Sequence, residues 1–200
     1  LILLPLIGAC GGVPPYDRKK QEAFFSEETR PISNFVEAED RKMHFVANDV
    51  TQKSAKRPLI AFVHGAPGDW LANARFLADE DLKNHADMIA VDRLGYGLSQ
   101  KGQWEENLET QAALLHAALQ EHYIPGRKII LVGHSFGGPV IARYAMDYPD
   151  QVNTLVFLAG SLDPELEFTK WFQIVADWKW VRPLIPSALN VANQEILPLK

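Results

Sequence analysis

No histidine occurs in the last third of this 200-residue sequence, cysteine occurs once, and no block of like charge interrupts the chain. Each shortage excludes something. A single cysteine, Cys10, cannot build an internal disulfide framework. Twenty Lys and Arg against 25 Asp and Glu give a net charge of −5 without a basic cluster, so nothing points to nucleic acid. Beyond the first residues, no apolar run approaches the length of a membrane span. Glycine and proline, 13 of each, fall at separate punctuation points, with no internal repeat or low-complexity segment. His116 and His122 lie six positions apart, which puts them on different helix faces, so they are not a metal pair. No pattern calls for a cofactor or a metal. What is present, 47% hydrophobic and 22% charged residues, suits one globular α/β domain with a sizeable core.

The chain begins without Met and without a basic leader. Leu1 to Ala9 are apolar apart from Gly8 and the helix breaker Pro5, and they run directly into Cys10. This is the composition of a secretion-signal core, and the sequence is expected to begin inside one. Ile7-Gly8-Ala9-Cys10 resembles a bacterial lipoprotein lipobox, although leucine is the usual residue at the Ile7 position. The resemblance implies cleavage before Cys10, lipidation of its sulfur and amine, and an exported, membrane-anchored lipoprotein. The alternative is an exported or cytoplasmic chain with an incidental cysteine. The expected organisation is signal remnant 1–10, tether 11–30, the N-terminal part of an α/β core 31–163, and the start of a cap or lid over 164–200.

Along the core, Phe35 to Asn48 alternates apolar and charged residues and predicts two antiparallel strands turning near Glu39-Asp40. The polar turn Lys53 to Arg57 reads as a solvated loop. Buried strands are expected at Pro58–Val63, Ala86–Val91, Ile129–Val132 and Val152–Ala159. Helices are expected at Trp70–Leu82, Asn107–Tyr123 and Phe136–Tyr148, the last with Pro139 in its first turn and Pro149 closing it. Strand and helix alternate, which predicts a mostly parallel sheet with helices on both faces.

Two stretches carry chemistry. Gly133-His134-Ser135-Phe136-Gly137 follows an aliphatic strand and opens a helix, the context of a G-x-S-x-G nucleophile elbow. Glycine is required on both sides because a serine on a sharp strand-to-helix turn brings the flanking backbones close together. Earlier, His64-Gly65-Ala66-Pro67-Gly68 follows a buried strand at once. Together these resemble the H-G-x-P-G loop and elbow of the α/β-hydrolase superfamily, serine-hydrolase type. The resemblance implies that the loop supplies one half of an oxyanion hole and the N–H after the nucleophile the other. Pro67 has no N–H, so Ala66 is the residue able to donate, paired with Phe136. His64 ends a strand and is expected to brace the loop, since in this family the catalytic histidine follows the serine.

Asp92-Arg93-Leu94-Gly95-Tyr96-Gly97-Leu98-Ser99 resembles the D-x-x-G-x-G-x-S turn of many such hydrolases. An Asp92–Arg93 pair and two glycines are expected to shape a loop beside the pocket, with Ser99 as a turn hydroxyl. Asp163, after the strand ending near Ala159, is a candidate catalytic acid or a loop residue introducing Pro164. From Glu165 onward, Trp171, Phe172, Trp178 and Trp180 mark an aromatic, proline-punctuated stretch where the fold carries a cap, which would line an apolar acyl pocket or simply pack.

All six histidines, at 44, 64, 85, 116, 122 and 134, precede Ser135. The base the elbow needs is therefore expected beyond Lys200, in a chain incomplete at its C-terminus, and the 200-residue piece alone is expected to be inactive. HGAPGDW also resembles the loop of epoxide hydrolases and haloalkane dehalogenases, but the elbow serine argues against both, since they use an aspartate nucleophile. The expected activity is hydrolysis of small to medium apolar carboxylic esters through an acyl-enzyme on Ser135. A C–C hydrolase, an aminopeptidase, a haloperoxidase of the same fold, or a non-catalytic binding protein are the alternatives.

Overall fold

The computed structural model describes residues 19–48, 54–100, 103, 105 and 107–160. Cys10, Lys53, Asp163 and the aromatic stretch after Glu165 lie outside the described residues.

Six strands form one sheet in the order β1-β2-β4-β3-β5-β6. They are β1 (Ile32–Ala38), β2 (Arg41–Ala47), β3 (Leu59–Val63), β4 (Asp87–Val91), β5 (Ile129–His134) and β6 (Thr154–Leu158). The hairpin turns at Glu39 and Asp40, as its alternation predicts, with φ of 51° and 55°. Two successive left-handed residues match the twist of the flanking strands. The mostly parallel expectation holds for β3 with β4, β3 with β5, and β5 with β6, whereas β1–β2 and β2–β4 are antiparallel. The sheet is therefore mixed: a short hairpin joins antiparallel neighbours, while helices carry the chain from β3 to β4, β4 to β5 and β5 to β6.

Helices α1 (Ala74–Leu77), α2 (Glu80–His85), α3 (Leu108–Gln120) and α4 (Gly137–Asp147) accompany the sheet, with 3-10 turns at Trp70–Asn73 and Pro149–Gln151. The strand period of two divides the core. Ala61, Val63, Ile89, Val91, Ile129 and Leu131 meet α3 and α4 on one face, while Phe62, Met88 and Ala90 meet Trp70, Ala74 and Leu77 on the other. Leu114, Leu115 and Leu119 are fully buried from α3, each contributing about 1.5–3 kcal/mol of hydrophobic stabilisation. Asn107 caps α3 by accepting from the Glu109 and Thr110 amides at 2.8 and 3.3 Å.

Three expectations are corrected. The single helix over Trp70–Leu82 is broken in two, because Asp69 accepts from Leu71 N at 2.9 Å and Asp79 accepts from Leu82 N at 2.9 Å. Two N-caps in one stretch start two elements, although Ala74 and Leu77 point inward as their spacing predicts. Residues 19–30 of the expected tether pack on the domain: Gln21 and Phe25 are buried, and the Phe25 ring lies 6.1 Å from Trp70. Arg57 is not a solvated loop residue. It bonds Asp87 at 3.0 Å and the carbonyls of Lys83, Asn84 and Ala86. Among the described residues no helix is long and apolar enough to cross a membrane.

Candidate active site

Ser135 stands at the turn between β5 and α4 with φ of 48°. A non-glycine residue in the left-handed region costs about 1–2 kcal/mol, strain that surrounding structure must hold. It is held here by two backbone bonds: Ser135 N donates to Leu158 O on β6 at 3.1 Å, and Gly138 N donates to Ser135 O at 2.8 Å. The flanking glycines are required by contact. A Cβ on Gly133 would sit 2.5 Å from Gly137 O, and a Cβ on Gly137 would overlap the Val63 carbonyl oxygen. The elbow is thus wedged against the end of β3.

The loop after β3 crosses the serine. A Cβ on Gly65 would lie 2.7 Å from Ser135 Cβ and 3.0 Å from His134 Nδ1. Hydrogen is the only side chain that lets the loop come so near. Ala66 follows, joined to Pro67 by a cis peptide bond. Among the described residues no group accepts from the Ala66 or Phe136 N–H. Phe136 leads into α4, whose N-terminal dipole end favours negative charge nearby.

His64 is fully buried and both ring nitrogens are engaged. Nδ1 lies 2.6 Å from Gly65 O, and Nε2 accepts from Arg93 N at 2.9 Å. Nδ1 therefore carries the proton. Burial, then the charge of Arg93, push the imidazole down to about 3. A neutral ring with no free nitrogen cannot serve as a base, so His64 braces the loop as its position predicts.

Arg93 links the parts of the site. Its Nε donates to His64 O at 2.8 Å, its guanidinium lies 4.8 Å from the Phe136 ring centroid, and it reaches Gln111 at 3.3 Å. The Tyr96 ring lies 5.0 Å from the same cation. One buried cation thus touches the loop that carries Ala66 and the residue that follows Ser135. The Asp92–Arg93 pair expected from their adjacency is not formed. Asp92 is bonded instead to His44 Nδ1 at 2.8 Å, Trp70 N at 2.8 Å and Leu98 N at 2.9 Å. Burial alone would raise its carboxyl, but the hydrogen bond from His44, with that from the Leu98 amide, outweighs burial and lowers it. Ser99 is a turn hydroxyl as expected, donating to Asp92 O at 2.6 Å and accepting from His44 N at 2.7 Å.

The structure therefore brings Ser135, Phe136 and the Gly65–Ala66 loop together, while Asp163 and Cys10 lie outside the described residues. His116 stacks on Tyr148 at 4.0 Å, and His122 packs edge-on against Phe45 at 5.8 Å, both packing roles. Sequence reasoning missed Arg93 as a link. The available signal was a charged residue directly after a buried strand, which must find partners when it folds inward. Among the described residues no three His, Cys, Asp or Glu side chains gather as metal ligands.

Comparison with known proteins agrees with this geometry. The chain is 28% identical over 153 residues to epoxide hydrolase 1 of Caenorhabditis elegans, covering 73% of this chain and 35% of that protein. It is 31% identical over 110 residues to 1-acylglycerol-3-phosphate O-acyltransferase ABHD5 of Rattus norvegicus, covering 52% and 30%. The chain thus spans about a third of the length of the curated relatives it matches. Among solved structures, Cfl2 from Burkholderia cenocepacia superposes with a TM-score of 0.59 at 23% identity, over 76% of this chain and 54% of that one, a likeness of fold. The family model described as alpha/beta hydrolase fold matches residues 58–198, from the strand before the HGAPG loop through the elbow and beyond. With its sheet order, its elbow and its loop over the serine, the chain belongs to the alpha/beta hydrolase fold family.

Proposed function

We propose that the whole protein is a serine hydrolase that cleaves carboxylic esters of small to medium apolar acyl groups through an acyl-enzyme on Ser135. The observation that carries this reading is Ser135 itself: a left-handed serine at the end of β5, beneath Gly65 and at the head of α4. Its Oγ attacks the ester carbonyl carbon, and the oxyanion is received by the Ala66 and Phe136 N–H groups. Such donors are fixed before charge develops, and one of them is worth about 10²–10³-fold in rate. Arg93 beneath Phe136 adds a positive field from the protein side.

The serine proton goes to a histidine, which returns it to the leaving alcohol and then activates the water that frees the acid. His64 is committed to Gly65 and Arg93, and His44 stands on β2, three strands from β5, so the base is assigned to the part of the whole protein that follows Ser135 in chain order. Asp163 is a candidate partner for it, and the aromatic residues after Glu165 are candidates for the acyl pocket. Lipidation of Cys10 would hold the enzyme at a membrane surface. Cys10→Ala tests that anchor: release of the whole protein from the membrane fraction is expected, and unchanged fractionation would refute it.

Hydrolysis of p-nitrophenyl butyrate by the whole protein tests the reading. Turnover abolished by Ser135→Ala is the expected result. Turnover that survives Ser135→Ala rejects Ser135 as the nucleophile, and no turnover in the folded whole protein rejects the reading in favour of a binding protein.

A further inference from the structure

A second serine in this chain stands in triad order. Ser33 Oγ on β1 lies 2.7 Å from His44 Nε2 on β2, and His44 Nδ1 lies 2.8 Å from Asp92 Oδ2 at the end of β4. Serine hydroxyl, imidazole and buried carboxylate in that sequence are the arrangement by which a hydroxyl is made nucleophilic. We propose that Ser33, His44 and Asp92 form a second nucleophilic serine, separate from Ser135, that takes the acetyl group of small activated esters.

The geometry fixes each role. Asp92 is fully buried and accepts from Trp70 N and Leu98 N besides His44, so its carboxylate is held and can only accept. The His44 Nδ1 proton is committed to it. With that proton on Nδ1, the Nε2 lone pair of His44 faces Ser33, the position of the nucleophile. His44 cannot turn away: it is 1% exposed, its backbone N is tied to Ser99 Oγ at 2.7 Å, and its ring lies 5.1 Å from Phe35. A structural brace would need only the His44–Asp92 bond, and the Ser33 bond is the extra element. His44 on β2 and the end of β5 are three strand spacings apart, about 14 Å, so the two serines do not share a site.

Ser33, His44, Gln21, Pro31, Val46, Trp70 and Leu98 line one small cavity of about 10 Å³. That is room for about one water, too little for a long acyl chain, so an acetyl carbonyl must reach Ser33 from the open side of the sheet-edge strand β1, where the serine is only half-buried. The Gln21 carboxamide is buried in this wall, and its oxygen has no hydrogen-bond partner among the described residues. Rotated about its last side-chain bond, the amide offers an N–H donor to the carbonyl oxygen under attack. In the step proposed, Ser33 Oγ bonds to the acetyl carbon and its proton passes to His44 Nε2. The bond to the leaving phenol breaks, and the departing oxygen takes the proton. Acetyl-Ser33 and a phenol result.

The experiment uses the whole protein carrying Ser135→Ala, treated with p-nitrophenyl acetate, quenched in acid at intervals and mapped by peptide mass spectrometry. Ser26, exposed and bonded only to Thr29, is the internal reference. Ser33 is expected to acetylate at least ~10²-fold faster than Ser26, the span a positioned base supplies, or to show Ser33-dependent phenolate release if the ester turns over. His44→Gln is expected to bring Ser33 down to the Ser26 rate, and p-nitrophenyl octanoate to leave Ser33 unmodified. If His44→Gln fails to fold, the ratio of Ser33 to Ser26 within one protein decides alone. Acetylation of Ser33 no faster than Ser26, without Ser33-dependent phenolate release, overturns the proposal. The outcome is independent of Ser135, which is absent as a nucleophile from every arm.

Discussion

Replacing His64 by Asn should remove a defined part of the protein's sensitivity to acid. His64 is fully buried, and a second proton on its ring would break the bond from Arg93 N and place two cations side by side. Its folded value of about 3 lies well below the 6.5 of a free histidine, through burial first and the Arg93 charge second. Between these values the folded ring stays neutral while the unfolded ring takes up a proton. The stability tied to this difference is therefore complete above pH 6.5 and is lost as pH falls toward 3. The slope for one proton is about 1.4 kcal/mol per pH unit, so moving from pH 7.5 to 4.5 costs on the order of 3 kcal/mol at this one residue. For a chain of this size that is about 5–11 °C in melting temperature. Asn titrates nothing in that window. Urea unfolding of both proteins, followed by tryptophan fluorescence at the two pH values, isolates the difference because the other titrating groups are shared. The wild type should lose on the order of 3 kcal/mol more than His64→Asn over that interval. An equal loss in both would refute the reasoning.

Asp92→Asn leaves at least one of its buried N–H partners without an acceptor and should lower stability by about 1–3 kcal/mol in urea unfolding. Because the Asp92 carboxyl is lowered in the folded state, its contribution is present above the usual 3.8 and fades as pH falls further, so the variant should differ least in strong acid. Gly137→Ala drives a methyl into the Val63 carbonyl and should shift the elbow, slowing covalent labelling of Ser135 in the whole protein by at least ~10²-fold; an unchanged labelling rate would show that the wedge is not needed. Ser99→Ala removes the bonds to His44 N and Asp92 O and should cost about 1–3 kcal/mol by the same unfolding assay, with a change below ~0.5 kcal/mol counting against the network.

The features legible in the sequence were those set by sterics close along the chain. Gly133 and Gly137 announce the elbow because no side chain fits where they sit, and the apolar runs of β3 and β4 announce strands because both faces are buried. The helical spacing of Ala74 and Leu77 was also legible, but not the break at Asp79, because a polar residue on a helix face and an N-cap look alike until the chain turns. Long-range polar pairing was hidden. Nothing in sequence joins His44 to Asp92, 48 positions apart, while the adjacency of Asp92 and Arg93 misled because neighbours at a strand end point to opposite sides. The packing of Phe25 on Trp70 was hidden in the same way, since two adjacent phenylalanines in a polar stretch have no period to say which one faces inward.

In the proposed function Ser135 is a nucleophile poised under the HGAPG loop. Treatment of the folded whole protein with a bulky fluorophosphonate, followed by peptide mass mapping, tests it most directly. One adduct is expected, on the peptide carrying Ser135 and lost in Ser135→Ala, with none at Ser33, whose cavity of about 10 Å³ is too small for the probe. A folded whole protein that stays unlabelled at Ser135 would contradict the account.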